Sequence, residues 1–172
     1  MKRREILKIN SDGWLVESEN ISILHSLNFD DRPKNESISL VVIHCISLPS
    51  GNFVGDNVEK LFLNEIDTSK DEFTDLENLR VSAHFYIKRN GQIVQFVSIH
   101  KRAWHAGTSS FKGASNCNNF SVGIEIEGTE DIVYEKRQYD SLITLLYSLS
   151  KKLPSINAIT GHENIAPKRK TD

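Results

Sequence analysis

The feature of this sequence that most constrains its fold is the apolar run ISLVVI at residues 38–43, which is followed directly by His44. A continuous run rich in β-branched residues is typical of a strand that is covered on both faces. A second strand is predicted at residues 121–127, where apolar residues alternate with Gly and Glu. This alternation places Glu125 and Glu127 on one face. We therefore expect a buried central strand ending at His44 and another strand that carries two carboxylates.

Turn signals and periodicity predict the remaining elements. The pair Asn90-Gly91 between two alternating segments is typical of a tight hairpin, so the strands around it should pair antiparallel. Apolar residues at helical spacing up to Pro154 predict the main helix. The predicted elements are strands at residues 80–87, 92–97 and 156–159 and helices at residues 57–63 and 134–153. Their order implies an α/β fold with a central mixed β-sheet flanked by helices.

The length of 172 residues suits one domain with a substantial core. No internal repeat, low-complexity tract or linker divides the chain, so residues 1–172 are expected to form a single domain. Residues 1–36 show weak periodicity and several turn-like pieces. We expect them to form an irregular lead-in from which Trp14, Leu15 and Ile23 pack on the core.

Charge and hydropathy argue against two classes of partner. The formal net charge of −2 gives no basic footprint for nucleic acid. No apolar run approaches the roughly 18 residues of a membrane span, and the N-terminal segment is too short and polar for a signal peptide. Cys45 and Cys117 make no disulfide framework, and we expect free thiols in a reducing compartment. The expected protein is cytoplasmic and contacts neither nucleic acid nor membrane, and its oligomeric state is not indicated.

Two histidines and an aspartate have the chemistry of a catalytic zinc site. His44 ends one predicted strand, His162 follows another, and Asp172 comes ten residues later, after a loop that contains Pro167. A catalytic zinc takes three protein ligands and leaves a fourth position for water. Each histidine taken alone is more often structural, and other divalent ions also accept such a ligand set. Because Asp172 is the last residue of the sequence, we expect it to be vulnerable to fraying.

Five motifs occur in a fixed order along the chain. They are LVVIH at residues 40–44, VSAHFYI at 81–87 followed by NGQI at 90–93, RAWHAG at 102–107, GIEIEG at 123–128 and GHENIAPKRKTD at 161–172. Together they resemble the type-2 N-acetylmuramoyl-L-alanine amidases and, within that family, the cytosolic AmpD branch. The resemblance runs from about Trp14 to the last residue. It implies a type-2 amidase fold, also found in peptidoglycan-recognition proteins, and one zinc ion per chain.

The resemblance also implies an activity and a role for five residues. The implied reaction cuts the amide between the lactyl group of N-acetylmuramic acid, often in its 1,6-anhydro form, and L-alanine during peptidoglycan recycling. Glu125 corresponds to the catalytic acid/base and Lys170 to the cation near the carbonyl oxygen, while the metal ligands correspond to His44, His162 and Asp172. Zinc activates water and polarises a carbonyl, a carboxylate takes a proton, and a cation stabilises an oxyanion.

Each of these catalytic roles has a plainer alternative. Glu125 and Glu127 are also compatible with solvated carboxylates on the outer side of a strand. Lys170 belongs to a run of three basic residues at 168–170, and most short charge runs are surface turns. For His84, which lies on a predicted strand, packing in the core is the default interpretation.

Substrate contacts are expected mainly from residues 100–119, which are rich in His, Gly, Ser and Asn and lack periodicity. A long ordered loop of this kind is often functional. Within it, Trp104 has an aromatic face that can stack on a sugar, and His105 has a ring that can bond to an amide, although Trp104 is equally suited to capping the core. Arg80 can pair with a carboxylate of the substrate or with one of the acidic residues at 65–77.

Three rival functions remain at this point. A metal-free peptidoglycan-recognition module would have the same fold but lack a ligand. A phage-type lytic amidase would attack intact peptidoglycan instead of soluble muropeptides. A structural protein with surface histidines would bind no stoichiometric metal. Since all three ligand residues are present and no wall-binding segment is apparent, the sequence favours a muropeptide amidase.

Overall fold

A computed structural model of the protein describes residues 6–172, so the first five residues of the expected lead-in and domain lie outside the described part. Residues 6–172 fold into ten strands and three α-helices, with short 3₁₀ turns at Asp71–Leu76 and Cys117–Asn119. The strands are β1 (Ile21–Ile23), β2 (Phe29–Asp30), β3 (Leu40–Ile46), β4 (Phe85–Ile87), β5 (Ile93–Gln95), β6 (Arg102–Ala103), β7 (Ser110–Phe111), β8 (Ala114–Ser115), β9 (Ser121–Glu127) and β10 (Ala158–Gly161). The helices are α1 (Asn57–Phe62), α2 (Lys136–Lys152) and α3 (His162–Ile165).

The main sheet has six strands in the order β1-β5-β4-β9-β3-β10. The β4 and β5 strands pair antiparallel, whereas the other neighbouring pairs in this sheet run parallel. The strands β2 and β6 form one small antiparallel sheet, and β7 and β8 form another. The predicted α/β fold with a central mixed sheet and the predicted hairpin are therefore confirmed.

Strand register brings the predicted metal-binding and catalytic residues to one edge of the sheet. In the parallel pair β3 and β9, His44 lies opposite Glu125. In the parallel pair β3 and β10, Gly161 lies opposite Ile43, so His162 follows immediately beside His44. Ligands of α/β proteins usually bind beyond the carboxyl ends of parallel strands, where three such ends meet here.

Several predicted boundaries were wrong by a few residues. The central strand continues to Ile46, since its pairing with β9 extends that far, and His44 therefore lies inside the strand instead of at its end. The last strand is Ala158–Gly161 because its pairing partner β3 begins only at Leu40. Both hairpin strands are shorter than predicted.

Two segments expected to be irregular contain ordered elements. Within the lead-in, β1 extends the main sheet by pairing with β5, and Leu15 and Ile23 belong to the core. Trp14 instead packs edge-on against the ring of His25, with centroids 4.8 Å apart. The predicted long loop at residues 100–119 contains β6, β7, β8 and a 3₁₀ turn, which give it a fixed shape.

The core fills both faces of the main sheet. On one face, Leu145 and Leu149 of α2 pack against Val122 and Ile124 of β9, and all four side chains are fully buried. A capping box between Glu135 and Gln138 begins α2, and the helix ends shortly before Pro154, as predicted. The other face carries aromatic side chains. No helix within residues 6–172 is long and apolar enough to cross a membrane.

Candidate active site

The three predicted metal ligands meet at the carboxyl edge of the sheet. The Nδ1 atoms of His44 and His162 are 3.0 Å apart. An oxygen of Asp172 lies 3.3 Å from Nδ1 of His162, and its other oxygen lies 3.8 Å from Nδ1 of His44. Both histidines are buried, at 3% and 2% exposure, whereas Asp172 is partly open to solvent. Two nitrogens and one carboxylate thus face a common point.

The spacing and protonation of these atoms fit a divalent cation. In a tetrahedral zinc site with bonds of about 2.0–2.1 Å, neighbouring ligand atoms lie about 3.3–3.4 Å apart, close to the distances found here. The Nε2 atom of His162 lies 3.3 Å from the carbonyl oxygen of Ala106, which can only accept, so Nδ1 presents a lone pair. Burial, and next the neighbouring His162, lower the pKa of His44 to about 3, which keeps that ring neutral. Neutral imidazoles and an ionised carboxylate are what zinc requires.

Asp172 is anchored although it is the last residue of the sequence. Its carboxylate accepts a hydrogen bond of 3.2 Å from the backbone N–H of Cys45, and its backbone carbonyl accepts one from the N–H of Glu163. Burial, the largest influence, opposes ionisation, but the adjacent imidazole of His162 and the hydrogen bond from the backbone N–H of Cys45 hold the pKa of Asp172 at about 2. The carboxylate is therefore charged and oriented toward the histidines.

Glu125 is a buried carboxylic acid beside this ligand set. Its residue is 9% exposed, and its Oε2 atom has no hydrogen-bond partner within residues 6–172. Burial, and next the negative charge of Asp172, raise the pKa of Glu125 to about 8, while Lys170 acts in the opposite direction. Glu127 is also buried and accepts the backbone N–H of Arg89 at 2.7 Å. Neither carboxylate is thus on a solvated outer face, and of the two only Glu125 has a buried oxygen without a hydrogen-bond partner among residues 6–172.

The three basic residues near the end of the chain differ in their surroundings. Lys168 is exposed, whereas the guanidinium of Arg169 donates to the carbonyl oxygens of Ala106 and Thr108, at 2.7 and 3.0 Å. Lys170 is half-buried and lines the same cavity as Glu125. The run is therefore not a uniform surface turn, and it places one cation in the cleft.

A cavity of about 520 Å³ opens in front of the ligand set. Its lining combines Glu125, Lys170 and two of the candidate metal ligands, His162 and Asp172, with aliphatic and aromatic side chains. The apolar wall is formed by Leu48, Leu61, Phe62, Leu76, Leu79 and Val81. The cavity can therefore accept a ligand with both polar and apolar parts.

Trp104, His105 and Arg80, the predicted substrate contacts, all line this cavity. The Trp104 side chain donates to the Asp30 carboxylate, which holds the indole in the cavity wall. Arg80 is exposed, donates only to the adjacent carbonyl of Leu79 at 3.2 Å and forms no ion pair within the described residues. His105 is more deeply placed, at 9% exposure.

Sequence reasoning missed several residues that support the site. The Oδ1 atom of Asn118 accepts the backbone N–H groups of His105 and Ala106, at 3.2 and 2.8 Å. The guanidinium of Arg32, from the supposedly irregular lead-in, donates to the carbonyls of Asn118, Asn119, Ser121 and Ile99. No local pattern marks these residues, because their partners lie far away in sequence. His84 packs in the interior, as expected by default, and its Nδ1 accepts the backbone N–H of Gly123 at 3.0 Å.

Both cysteines are free thiols, as predicted, with Cys117 buried and Cys45 partly buried.

Comparison with known proteins shows extensive similarity. The family profile described as N-acetylmuramoyl-L-alanine amidase matches residues 34–172, which include every residue of the ligand set. The 1,6-anhydro-N-acetylmuramyl-L-alanine amidase AmpD of Citrobacter freundii is 47% identical over 163 residues, covering 94% of this chain and 86% of that protein. The protein of the same name from Escherichia coli strain K12 is 45% identical over 162 residues, covering 93% and 87%.

The same similarity is seen in three dimensions. A crystal structure of a selenomethionine AmpD derivative matches with a TM-score of 0.90 at 45% sequence identity. The match covers 96% of this chain and 92% of that chain. The fold is therefore shared along almost the entire chain.

Proposed function

The chain belongs to the N-acetylmuramoyl-L-alanine amidase family and is an amidase, and from this premise we propose that it is a zinc-dependent hydrolase of soluble muropeptides. The proposed substrate is N-acetylmuramic acid, in its 1,6-anhydro form, joined through its lactyl group to the L-alanine of a stem peptide. The bond cut is that amide. The relatives that are 45–47% identical carry this activity in their names.

One observation carries the proposal. His162 and Asp172, which meet His44 at the candidate metal position, line a cavity that Glu125 and Lys170 also line. Three ligands with an open side, a carboxylic acid and a cation are the set of groups that hydrolysis of an amide requires. A recognition module has no need for a buried carboxyl group without a partner.

We propose that one zinc ion per chain is held by the two histidines and the aspartate. When bound there, zinc supplies Lewis acidity, which polarises the scissile carbonyl and lowers the pKa of water. The Glu125 carboxylate removes a proton from the attacking water and delivers it to the departing amine of L-alanine. The Lys170 ammonium stabilises the negative charge that develops on the carbonyl oxygen.

The cavity walls suggest how the substrate is oriented. Trp104 in the cavity wall offers an aromatic face to the sugar ring, and Arg80, whose guanidinium forms no ion pair within residues 6–172, offers it to a carboxylate of the stem peptide. His105 lies deeper, and since both its ring nitrogens bond within the protein, it offers ring carbon atoms to the substrate. We further propose that the protein acts in the cytoplasm on fragments released during peptidoglycan turnover.

The test compares soluble and insoluble substrates. The zinc-loaded protein should release L-alanyl peptides from anhydro-muropeptides faster than from intact sacculi at equal amide concentration. Glu125→Gln should lower kcat by about 10²- to 10⁴-fold with zinc content unchanged. Faster release from sacculi would favour the lytic amidase, and binding without any hydrolysis would favour the recognition module.

A further inference from the structure

We propose that Ser121 and His105 are positioning residues that fix the tautomer of His44, so that its Nδ1 atom presents a lone pair toward the metal position. The inference rests on the zinc site proposed above but concerns two residues that ligate nothing. They form a continuous chain of hydrogen bonds between the backbone carbonyl of Cys117 and the ring of His44.

The direction of each hydrogen bond follows from the one before it. The Ser121 hydroxyl lies 2.6 Å from the Cys117 carbonyl, which can only accept, so the single hydroxyl proton is used there. The hydroxyl oxygen must therefore accept from Nε2 of His105, 3.1 Å away. A neutral imidazole has one N–H, so Nδ1 of His105 is an acceptor. It lies 2.9 Å from Nε2 of His44, which must donate.

The consequence for His44 is that its proton is held on the side away from the metal position. Its Nδ1 atom then carries a lone pair and faces Nδ1 of His162, 3.0 Å away. His162 is held in the same way through its bond to the Ala106 carbonyl. Two converging lone pairs beside a carboxylate repel one another unless a cation lies between them. The hydrogen-bond chain thus prepares the ring of His44, and the Ala106 carbonyl prepares the ring of His162, for metal before it binds.

Packing fixes the ring of His105 in the orientation that these hydrogen bonds require. A Cβ atom on Gly123 would lie 2.7 Å from both Cδ2 and Nδ1 of His105, so the ring rests directly on the backbone of β9. Ser121 is fully buried and His44 is 3% exposed. Water therefore has little access to replace a missing partner. The arrangement explains why a glycine and a serine precede Glu125 on the same face of this strand.

Removal of the Ser121 hydroxyl reverses the direction of the hydrogen bonds between His105 and His44. In Ser121→Ala, the Nε2–H of His105 has no acceptor, and the other tautomer, with the proton on Nδ1, becomes favourable. His44 must then accept at Nε2 and carry its proton on Nδ1, where it competes with the metal. Partners of metal-bound histidines typically contribute about 10- to 100-fold in metal affinity, and we expect a loss of zinc affinity in that range.

The experiment uses the full chain and two readouts, the zinc dissociation constant from chelator competition and the tautomer of His44 from ¹⁵N NMR of the metal-free protein. Ser148→Ala is the matched control, since Ser148 is equally buried, donates to the Thr144 carbonyl and accepts the N–H of Leu7, far from the site. Ser121→Ala should bind zinc about 10- to 100-fold more weakly than Ser148→Ala and place the His44 proton on Nδ1.

Equal zinc affinity in the two serine variants, with the His44 proton still on Nε2, would overturn the inference. If Ser121→Ala does not fold, His105→Asn and His105→Phe test the inference instead. Asn keeps a hydrogen-bond acceptor near the position of the His105 Nδ1 atom, whereas Phe does not. Zinc binding retained by Asn and lost by Phe supports the inference, and equal binding overturns it. Absence of zinc binding in the wild type would overturn the proposed function instead, and the NMR tautomers of the metal-free protein would still decide the inference.

Discussion

Replacing Glu125 by Gln should lower activity by about 10²- to 10⁴-fold and at the same time stabilise the metal-free protein. Burial raises the pKa of Glu125 from 4.5 to about 8, so the folded protein keeps a proton that the unfolded chain releases. Between these two pH values the folded state binds more protons, and its free energy of unfolding therefore falls as the pH rises. Glutamine has a similar shape and does not titrate, so the variant escapes this loss.

The size of the effect follows from the same pKa. At pH 7 the folded protein holds the proton about 2.5 pH units above the ordinary pKa, and each unit corresponds to about 1.4 kcal/mol. The largest gain in the free energy of unfolding that Glu125→Gln can give at pH 7 is thus about 3 kcal/mol. Water that enters the open cavity reduces it, and we expect Glu125→Gln to be more stable by about 1–3 kcal/mol at pH 7 and by close to nothing at pH 4. Bound zinc should shrink the difference, since its charge favours the ionised carboxylate.

Urea denaturation of metal-free protein at intervals between pH 4 and pH 8 measures this difference. Glu19→Gln, which changes an exposed carboxylate remote from the site, is the matched control and should follow the wild-type curve. Parallel stability curves for the wild type and Glu125→Gln across the whole range would refute the reasoning, because they would mean that Glu125 ionises at its ordinary pKa in the folded protein.

Three further substitutions test other parts of the account. Lys170→Ala should lower kcat by about 10²- to 10³-fold in steady-state assays without changing the zinc dissociation constant, because it removes only the charge that stabilises the oxyanion; a change in zinc affinity alone would contradict this role. Leu149→Ala should lower the free energy of unfolding by about 2–5 kcal/mol in urea denaturation, since Leu149 is fully buried between α2 and the sheet, and a loss below 1 kcal/mol would count against that packing. Gly123→Ala should weaken zinc binding in chelator competition, as its methyl group displaces the ring of His105, and unchanged affinity would contradict the packing described above.

Local sequence signals were sufficient for the framework of the fold. The apolar run before His44, the Asn90-Gly91 turn and the helical spacing before Pro154 each reflect a short-range rule, and each element formed with the predicted type. The predicted strand boundaries were wrong where pairing with a strand that is distant in the sequence determines the end of the element. The central strand, for example, runs past His44 because β9 continues beside it to Glu127.

The candidate site was predictable only in part, for the same physical reason. Alternation along β9 placed Glu125 on the correct face, but the charges that act on its pKa belong to Asp172 and Lys170, which are more than 40 residues away in the sequence. Ser121 and Arg32 act through hydrogen bonds to segments that only the fold brings near. No periodicity encodes such contacts, and the family resemblance, built on motifs around the ligands, did not point to them.

The most direct test of the central claim is the rate of anhydro-muropeptide hydrolysis as zinc is titrated into metal-free protein. We predict that activity rises in proportion to added zinc and reaches its plateau at one ion per chain, whereas Glu125→Gln binds the same single ion and is about 10²- to 10⁴-fold less active. Equal hydrolysis by the metal-free chain, or no hydrolysis when one zinc ion is bound, would contradict the claim that this protein is a zinc amidase.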